Sequence, residues 1–222
     1  FISNTFGRYV DHEIARELMR QPEATRLGGE KREVAILISD IRGFTPLSES
    51  LSPEAIISIL NHYFSHMIEV IKGHKGIIVD FFGDGVLVFF DPLDEPIEPI
   101  IHRAIRCAIE MQNAMDPFNE DMRKEGFPEL EMGIGLNAGQ VVVGNIGSEA
   151  RAKYGIVGSA VNLTERIQKV AKGGDVIVSN SIYRYTHENL NIKKSFDVQL
   201  KGVQERITLY QIEGFQGASL VR

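Results

Sequence analysis

Two aspartates stand where apolar segments meet glycine-containing turns. Asp40 follows the run VAILIS, residues 34–39, and Asp84 lies in FFGDG between two apolar runs. Such carboxylates offer hard oxygen ligands to divalent cations, and the adjacent turns offer backbone N–H groups to phosphate. If the two strands are neighbours, the pair can hold two Mg²⁺ or Mn²⁺ ions. The alternative is that Asp40 only caps the turn that follows it.

A second candidate group lies on a predicted helix, Ser159 to Ala171. Asn162 and Arg166 are four residues apart, so they share one helix face. The alternative is a solvated face on which Arg166 pairs with Glu165 or Asp175.

The elements around the first group alternate between strand and helix. The buried strand ending at Asp40 precedes a helix over 51–72, begun by Ser52 and Pro53. A hairpin over 75–92 has its tip at Gly83 and Asp84. A further helix over 100–124 is expected to kink or break at Pro117.

The second half of the chain continues the alternation. Residues 130–143 predict one or two strands broken near Asn137 to Gly139, and residues 145–154 predict a loop. After the helix carrying Arg166, we expect a strand over 175–179, a helix over 181–189 and a hairpin over 195–213. The hairpins imply antiparallel pairing, which favours an α+β domain over a doubly wound parallel sheet.

Composition limits the class of protein. The 222 residues carry a net charge of −6, which argues against nucleic-acid binding. No apolar run reaches the roughly 18 residues of a membrane span. The single Cys107 fits a reducing compartment, so we expect a cytoplasmic domain, although the full-length protein could be membrane-attached. We divide the chain into an N-terminal helical segment and linker from an upstream domain (1–30), a catalytic domain (31–215) and a tail (216–222).

Three segments together resemble the signatures of the class III nucleotidyl cyclases, which make cyclic AMP or cyclic GMP. They are DIRGFT (40–45), FFGDG (81–85) and VGSAVNLTERI (157–167), and GRYV (7–10) is similar to the segment joining bacterial cyclase domains to upstream regulatory modules. The resemblance implies a ferredoxin-like βαββαβ core with additional strands and helices. It also implies a homodimer with shared active sites.

The resemblance assigns roles by motif position. Two divalent cations, Mg²⁺ or Mn²⁺, would be held by Asp40, Asp84 and the carbonyl of Ile41. The phosphates would lie near the backbone of residues 43–45, namely Gly43, Phe44 and Thr45. Asn162 and Arg166 would come from the partner subunit, where Asn162 orients the ribose and Arg166 stabilises charge at the α-phosphate.

Two positions that read the base in this family differ from the adenylyl pattern. Asp80 stands where adenylyl cyclases usually carry Lys and guanylyl cyclases Glu, and Gly155 occupies the second position. A carboxylate accepts hydrogen bonds, and guanine presents two adjacent donors where adenine presents one donor and a lone pair. GTP is therefore the expected substrate, and ATP the alternative.

One departure from the family predicts weak activity. Gly133 replaces an arginine that contacts the terminal phosphates in many relatives, although Lys201 could supply part of that charge. The departures at Gly133 and Gly155 leave open a non-catalytic dimerisation or nucleotide-sensing module.

Overall fold

The computed structural model describes residues 27–93, 95–148, 151–202 and 205–221, with only the backbone of Arg151. The predicted N-terminal helix and the GRYV segment lie outside these residues. Within the described ranges, none of the helices is long and apolar enough to cross a membrane.

Nine strands and six helices interleave along the described ranges. The first half holds β1 (Gly28–Arg42), α1 (Phe44–Ser50), α2 (Pro53–Gly73), β2 (Ile77–Phe82), β3 (Gly85–Phe90), α3 (Ile97–Asn113) and α4 (Met115–Lys124). The second half holds β4 (Glu131–Ser148), β5 (Arg151–Val157), α5 (Ser159–Val170), β6 (Val176–Ser179), α6 (Asn180–Thr186), β7 (Leu190–Val198), β8 (Ile207–Phe215) and β9 (Ala218–Ser219).

A single sheet with the order β2-β3-β1-β4-β6-β8-β7 organises the molecule, and β5 and β9 pair with β4 and β8. All neighbours are antiparallel except β4 and β6. The four strands β2-β3-β1-β4, with the helices between them, form the βαββαβ core. The predicted α+β class with a mostly antiparallel sheet is therefore confirmed.

From Val34 to Ser39, strand β1 is buried on both faces, as its unbroken apolar run predicts. Ala35 and Leu37 face the main core, which α2 and α3 cover, while Ile36 and Ile38 face a second cluster against β5 and the start of α5. A strand fixed on both faces gives Asp40, near its end, a well-defined position.

The structure corrects two predictions for the second half. Strand β4 is not broken at 137–139, because β1 pairs with it continuously from Gly28 opposite Asn145 to Arg42 opposite Glu131. Residues 145–154 are not a loop, since most of them form the β4–β5 hairpin. Glycine inside this strand permits close packing: a Cβ at Gly139 would lie 3.0 Å from Ala160 Cβ, and other backbone segments approach Gly135 and Gly144.

Other boundaries also shift. The helix break falls at Ala114, and Pro117 lies in the first turn of α4, where a missing N–H costs little. Strand β1 already includes residues 28–30, and β9 forms within residues 216–222. The last hairpin begins at Leu190 because β7 pairs with β8 from that residue.

Candidate active site

The two aspartates meet beside the end of β1. Ser39 pairs with Val86 across β1 and β3, which brings the β2–β3 hairpin tip next to Asp40. The Asp84 carboxylate accepts a hydrogen bond from the backbone N–H of Ile41 at 2.9 Å. The tip itself turns through Gly83, whose φ of 65° suits glycine. The hairpin and the strand end are therefore tied together at the predicted pair.

The electrostatics of this pair favour a bound cation. Burial, followed by the hydrogen bond and the charge of Asp84, raises the pKa of Asp40 to about 7, against an opposing effect of Arg42. Because Arg42 Nη1 lies 3.9 Å from Asp40 Oδ2, its positive charge offsets the rise in the pKa of Asp40 only in part. Two adjacent, partly buried carboxylates form a donor set that fits Mg²⁺ or Mn²⁺.

The residues expected near the phosphates form the start of a helix. Gly43 ends β1 with a left-handed φ of 71°, and α1 begins at the next residue. Phe44 is buried in the core and anchors the turn, whereas Thr45 is exposed. The first backbone N–H groups of a helix have no partner within it, so this turn presents donors beside Asp40.

Asp40 lines a cleft of about 390 Å³ between the sheet and α5. The aromatic ring of Phe82 and the side chains of Val161 and Glu165 form its walls. Glu165 pairs with Lys169 at 2.6 Å along the helix. Asp40, one of the metal-binding candidates, therefore opens onto a cavity.

Arg166 lies on a different cleft, of about 570 Å³, on the other side of α5. Asn137 and Gly202 also line this second cleft, and Asn162 is exposed on the same helix. The ion pairs considered as alternatives do not form, since Glu165 pairs with Lys169 and the Asp175 side chain accepts from Gln211. Within one chain, Asp40 and Arg166 are therefore not brought together.

Polar contacts that the sequence analysis missed hold α5 in place. At its start, Asn137 Nδ2 donates to the Ala160 carbonyl at 3.2 Å, and Ser181 Oγ donates to Asn137 Oδ1 at 2.9 Å. At its end, the Gln168 carbonyl accepts from Arg42 Nη2 at 2.7 Å. The sequence signal for Asn137 is a lone amide in an apolar strand, at the place where the predicted break is wrong.

Gly133 and Lys201 lie in different places. A Cβ on Gly133 would collide with the Arg42 guanidinium, with Nε at 2.7 Å, so Arg42 occupies the space of a side chain at this position. Lys201 is exposed, and its neighbour Gly202 borders Arg166: a Cβ there would be 3.0 Å from Arg166 Nη2. In one chain, Lys201 thus belongs to the Arg166 side and not to the Asp40 side.

The two base-reading candidates lie on β2 and β5. Asp80 is 49% exposed, and its Oδ2 lies 2.5 Å from Nζ of Lys153 on β5. Gly155 is two residues beyond Lys153, and a Cβ there would be 3.3 Å from Val79 Cγ1 on β2. The two strands therefore meet at this point. Lys153 has no local sequence signal, because nothing near it in the sequence reveals that β5 folds against β2.

The family model described as "Adenylate and Guanylate cyclase catalytic domain" matches residues 29–214. Among curated proteins, adenylate cyclase 1 of Rhizobium meliloti is 30% identical over 95% of this chain, and adenylate cyclase of Anabaena cylindrica is 31% identical over 95%. The chain spans only 32% and 43% of these two relatives.

Solved structures of both substrate types resemble the fold. The guanylyl cyclase Cya2 is 41% identical with a TM-score of 0.83, covering 88% of this chain and 100% of that one. The adenylyl cyclase CyaB from P. aeruginosa is 30% identical with a TM-score of 0.80, covering 86% and 99%. These similarities do not decide between GTP and ATP. They establish that the chain belongs to the class III adenylate and guanylate cyclase family, as a catalytic domain.

Proposed function

We propose that this chain is a guanylyl cyclase that converts GTP to 3′,5′-cyclic GMP and pyrophosphate in a homodimer. The observation that carries the proposal is the Asp80 carboxylate, half exposed where β2 meets β5. Its oxygens can accept from guanine N1–H and the 2-amino group. Adenine would leave one oxygen facing a lone pair, a mismatch worth about 1–3 kcal/mol.

The Asp40 and Asp84 carboxylates, with the carbonyl of Ile41, would hold two divalent cations, Mg²⁺ or Mn²⁺. When bound, such ions lower the pKa of the ribose 3′-hydroxyl and neutralise charge on the triphosphate. The chain's own contribution is the rigid attachment of Asp84 to the Ile41 N–H, which fixes the separation of the two carboxylates.

The remaining groups orient the nucleotide for in-line attack of the 3′-oxygen on the α-phosphorus. The new bond closes the cyclic phosphate, the 3′-hydroxyl loses its proton to solvent, and the bond from the α-phosphorus to the bridging oxygen breaks to release pyrophosphate. Asn162 would orient the ribose, and Arg166 would stabilise the charge that develops on the α-phosphate. Residues 43–45 would donate backbone N–H groups to the phosphates, with Lys201 adding positive charge.

A homodimer follows from the separation of the two clefts. Since Asp40 and Arg166 line different cavities of one chain, a complete site needs Arg166 from a second copy. Exposed apolar side chains support such an interface. They lie on β2, β4 and β5 and include Phe82, Val142, Ile146 and Val157. We further propose a cytoplasmic domain controlled by an upstream regulatory domain, since the curated relatives are much longer than the matched region.

The test is a paired assay of GTP and ATP turnover by the purified chain with Mn²⁺. We expect kcat/KM for GTP to exceed that for ATP by about 10-fold or more. Asp40→Asn should reduce turnover by about 100-fold or more, because a metal ligand is lost. Preferential use of ATP would instead identify an adenylyl cyclase, the function that the curated relatives' names favour. No cyclic product from either nucleotide would favour a nucleotide-sensing module.

A further inference from the structure

Two histidines and one aspartate meet between α2 and α4, away from both clefts of the candidate active site. His62 and His66 are four residues apart on α2, so they share one face of that helix. Asp121 faces them from α4, and one ligand atom of each side chain lies within 4.8 Å of those of the other two. We propose that these three residues bind one Zn²⁺ ion, at a site independent of the proposed function.

The spacing of the ligand atoms fits zinc. Nε2 of His62 lies 3.3 Å from Oδ2 of Asp121. Zinc bonds of about 2.0 Å at tetrahedral angles place neighbouring ligand atoms about 3.3 Å apart, so this pair already has the required separation. His66 is only partly buried, so rotation of its side chain can bring the third ligand atom closer. Three protein ligands leave the fourth position of the ion to a water molecule.

The nitrogen of His62 at the centre of the cluster lacks a hydrogen bond. Nε2 is shielded from solvent and makes no hydrogen bond within the described ranges, even to the nearby Asp121 carboxylate. A buried nitrogen without a partner is unfavourable, and a cation between it and the carboxylate would satisfy both groups. The alternative is an ion pair between protonated His62 and Asp121, which requires no contribution from His66.

Neighbouring side chains orient the proposed ligands. The ring of the fully buried Phe118 packs against both imidazoles, with its centroid 5.6 Å from that of His62 and 6.2 Å from that of His66. Phe118 is three residues before Asp121, so both lie on the face of α4 that meets α2. Lys124 Nζ lies 2.8 Å from Oδ1 of Asp121, which leaves Oδ2 for an ion, although the ammonium charge opposes cation binding.

The ligand types distinguish this site from the carboxylate pair. Imidazole nitrogens suit Zn²⁺, whereas Mg²⁺ and Mn²⁺ prefer oxygen ligands such as those of Asp40 and Asp84. An ion held by His62, His66 and Asp121 would link two helices that meet only in the folded chain. Zinc binding should therefore add to the stability of the fold.

The experiment combines calorimetric titration with Zn²⁺ and thermal unfolding, on the chain without a histidine tag and in excess Mg²⁺. We expect one tightly bound Zn²⁺ per chain, and Zn²⁺ at about 100 times its Kd should raise the Tm by about 5–10 °C. His66→Gln and Asp121→Asn, on different helices, should each weaken binding by about 100-fold and abolish the rise in Tm. Lys124→Met should strengthen binding by about 5-fold, because it removes a repulsive charge and frees Oδ1.

Two controls accompany these variants. His74→Gln removes a histidine that lies 2.7 Å from one carboxylate, that of Glu110, and this variant should bind Zn²⁺ like the wild type. Asp40→Asn removes a proposed active-site ligand and should also retain the tight zinc site. With chelator present, His66→Gln and Asp121→Asn should have nearly the wild-type Tm, since exposed ion pairs contribute little to stability.

Two results would overturn the zinc site. If Zn²⁺ does not raise the Tm of the wild type, His62 and Asp121 form an ion pair only. If Asp40→Asn loses tight binding while His66→Gln retains it, the ion binds at the carboxylate pair instead. Neither result decides whether the chain makes cyclic GMP, which the paired nucleotide assay measures separately.

Discussion

The carboxylate pair illustrates how the environment gives ordinary residues their chemistry. Backbone pairing and the Ile41 N–H hold Asp40 and Asp84 close together. Burial, followed by the hydrogen bond and the charge repulsion of Asp84, raises the pKa of Asp40 to about 7. A bound cation relieves that repulsion. The unfavourable electrostatics of the unliganded site therefore make the free energy of cation binding more favourable.

This pair predicts a pH dependence of stability in the metal-free protein. The folded chain binds the Asp40 proton more tightly than the unfolded chain, whose pKa is near 3.8. The resulting stabilisation is present below about pH 4 and is lost as the pH rises to about 7. Because Asp40 is 40% exposed, we discount the effect for solvent screening and expect about 1 kcal/mol.

The measurement is urea unfolding in chelator at about pH 5 and about pH 8, for wild type and Asp40→Asn. Because the Asn side chain of the variant cannot ionise, its free energy of unfolding should rise relative to that of the wild type at the higher pH. Added Mg²⁺ should stabilise the wild type more than the variant. Parallel pH profiles for the two proteins would show that Asp40 has no raised pKa.

At the scale of elements, α5 is the part whose position matters most, since it carries Asn162 and Arg166. It packs directly on β4, where Gly135 allows close approach. A Cβ at that glycine would lie 2.5 Å from the backbone nitrogen and 2.7 Å from Cα of Gln168. The last turn of the helix therefore rests on the strand backbone, and Arg42 secures it from β1.

Gly135→Ala should accordingly displace α5. We expect a loss of about 2 kcal/mol in the free energy of unfolding, because backbone atoms cannot rotate out of the way. Turnover should fall by about 10-fold or more, since small misplacement of Arg166 is costly. Chemical denaturation and kcat measured on the same preparations provide the check.

A matched control is Gly73→Ala at the end of α2. No atom lies within 4 Å of a Cβ there, so stability should be unchanged or rise by up to about 1 kcal/mol. Turnover should remain at the wild-type value. If Gly135→Ala behaved like this control, the close packing of α5 on β4 would not position the catalytic groups.

At the scale of the whole molecule, the proposed site is divided between two copies. Asp40 lines one cleft, and Arg166 lines the other. Each chain would then contribute half of two equivalent sites, as a twofold axis requires. Neither half alone contains the groups for the reaction.

Complementation tests this division. Asp40→Ala and Arg166→Ala homodimers should each be nearly inactive. An equal mixture should recover about one quarter of wild-type activity, because half of the dimers are mixed and each has one intact site. Mixing Asp40→Ala with Asp84→Ala should recover nothing, since both lie in the same half. No recovery in the first mixture would argue for sites built within one chain.

The sequence by itself determined the carboxylate pair, the helix carrying Asn162 and Arg166, and the α+β class. These depend on local patterns: an unbroken apolar run ending in Asp40, a hairpin tip at Asp84, and spacing along one helix. Local patterns also give a wrong prediction, because the glycines and the lone Asn137 indicate a break in β4 where the strand is continuous.

Only the tertiary structure decided which residues come into contact across the sheet. The pairing of Lys153 with Asp80, the place of Arg42 over Gly133, and the two clefts on either side of α5 join residues far apart in sequence. Such contacts depend on how β5 folds against β2 and how closely α5 approaches β4. The physical reason is that periodicity encodes which face of an element is buried, but not which neighbour covers it.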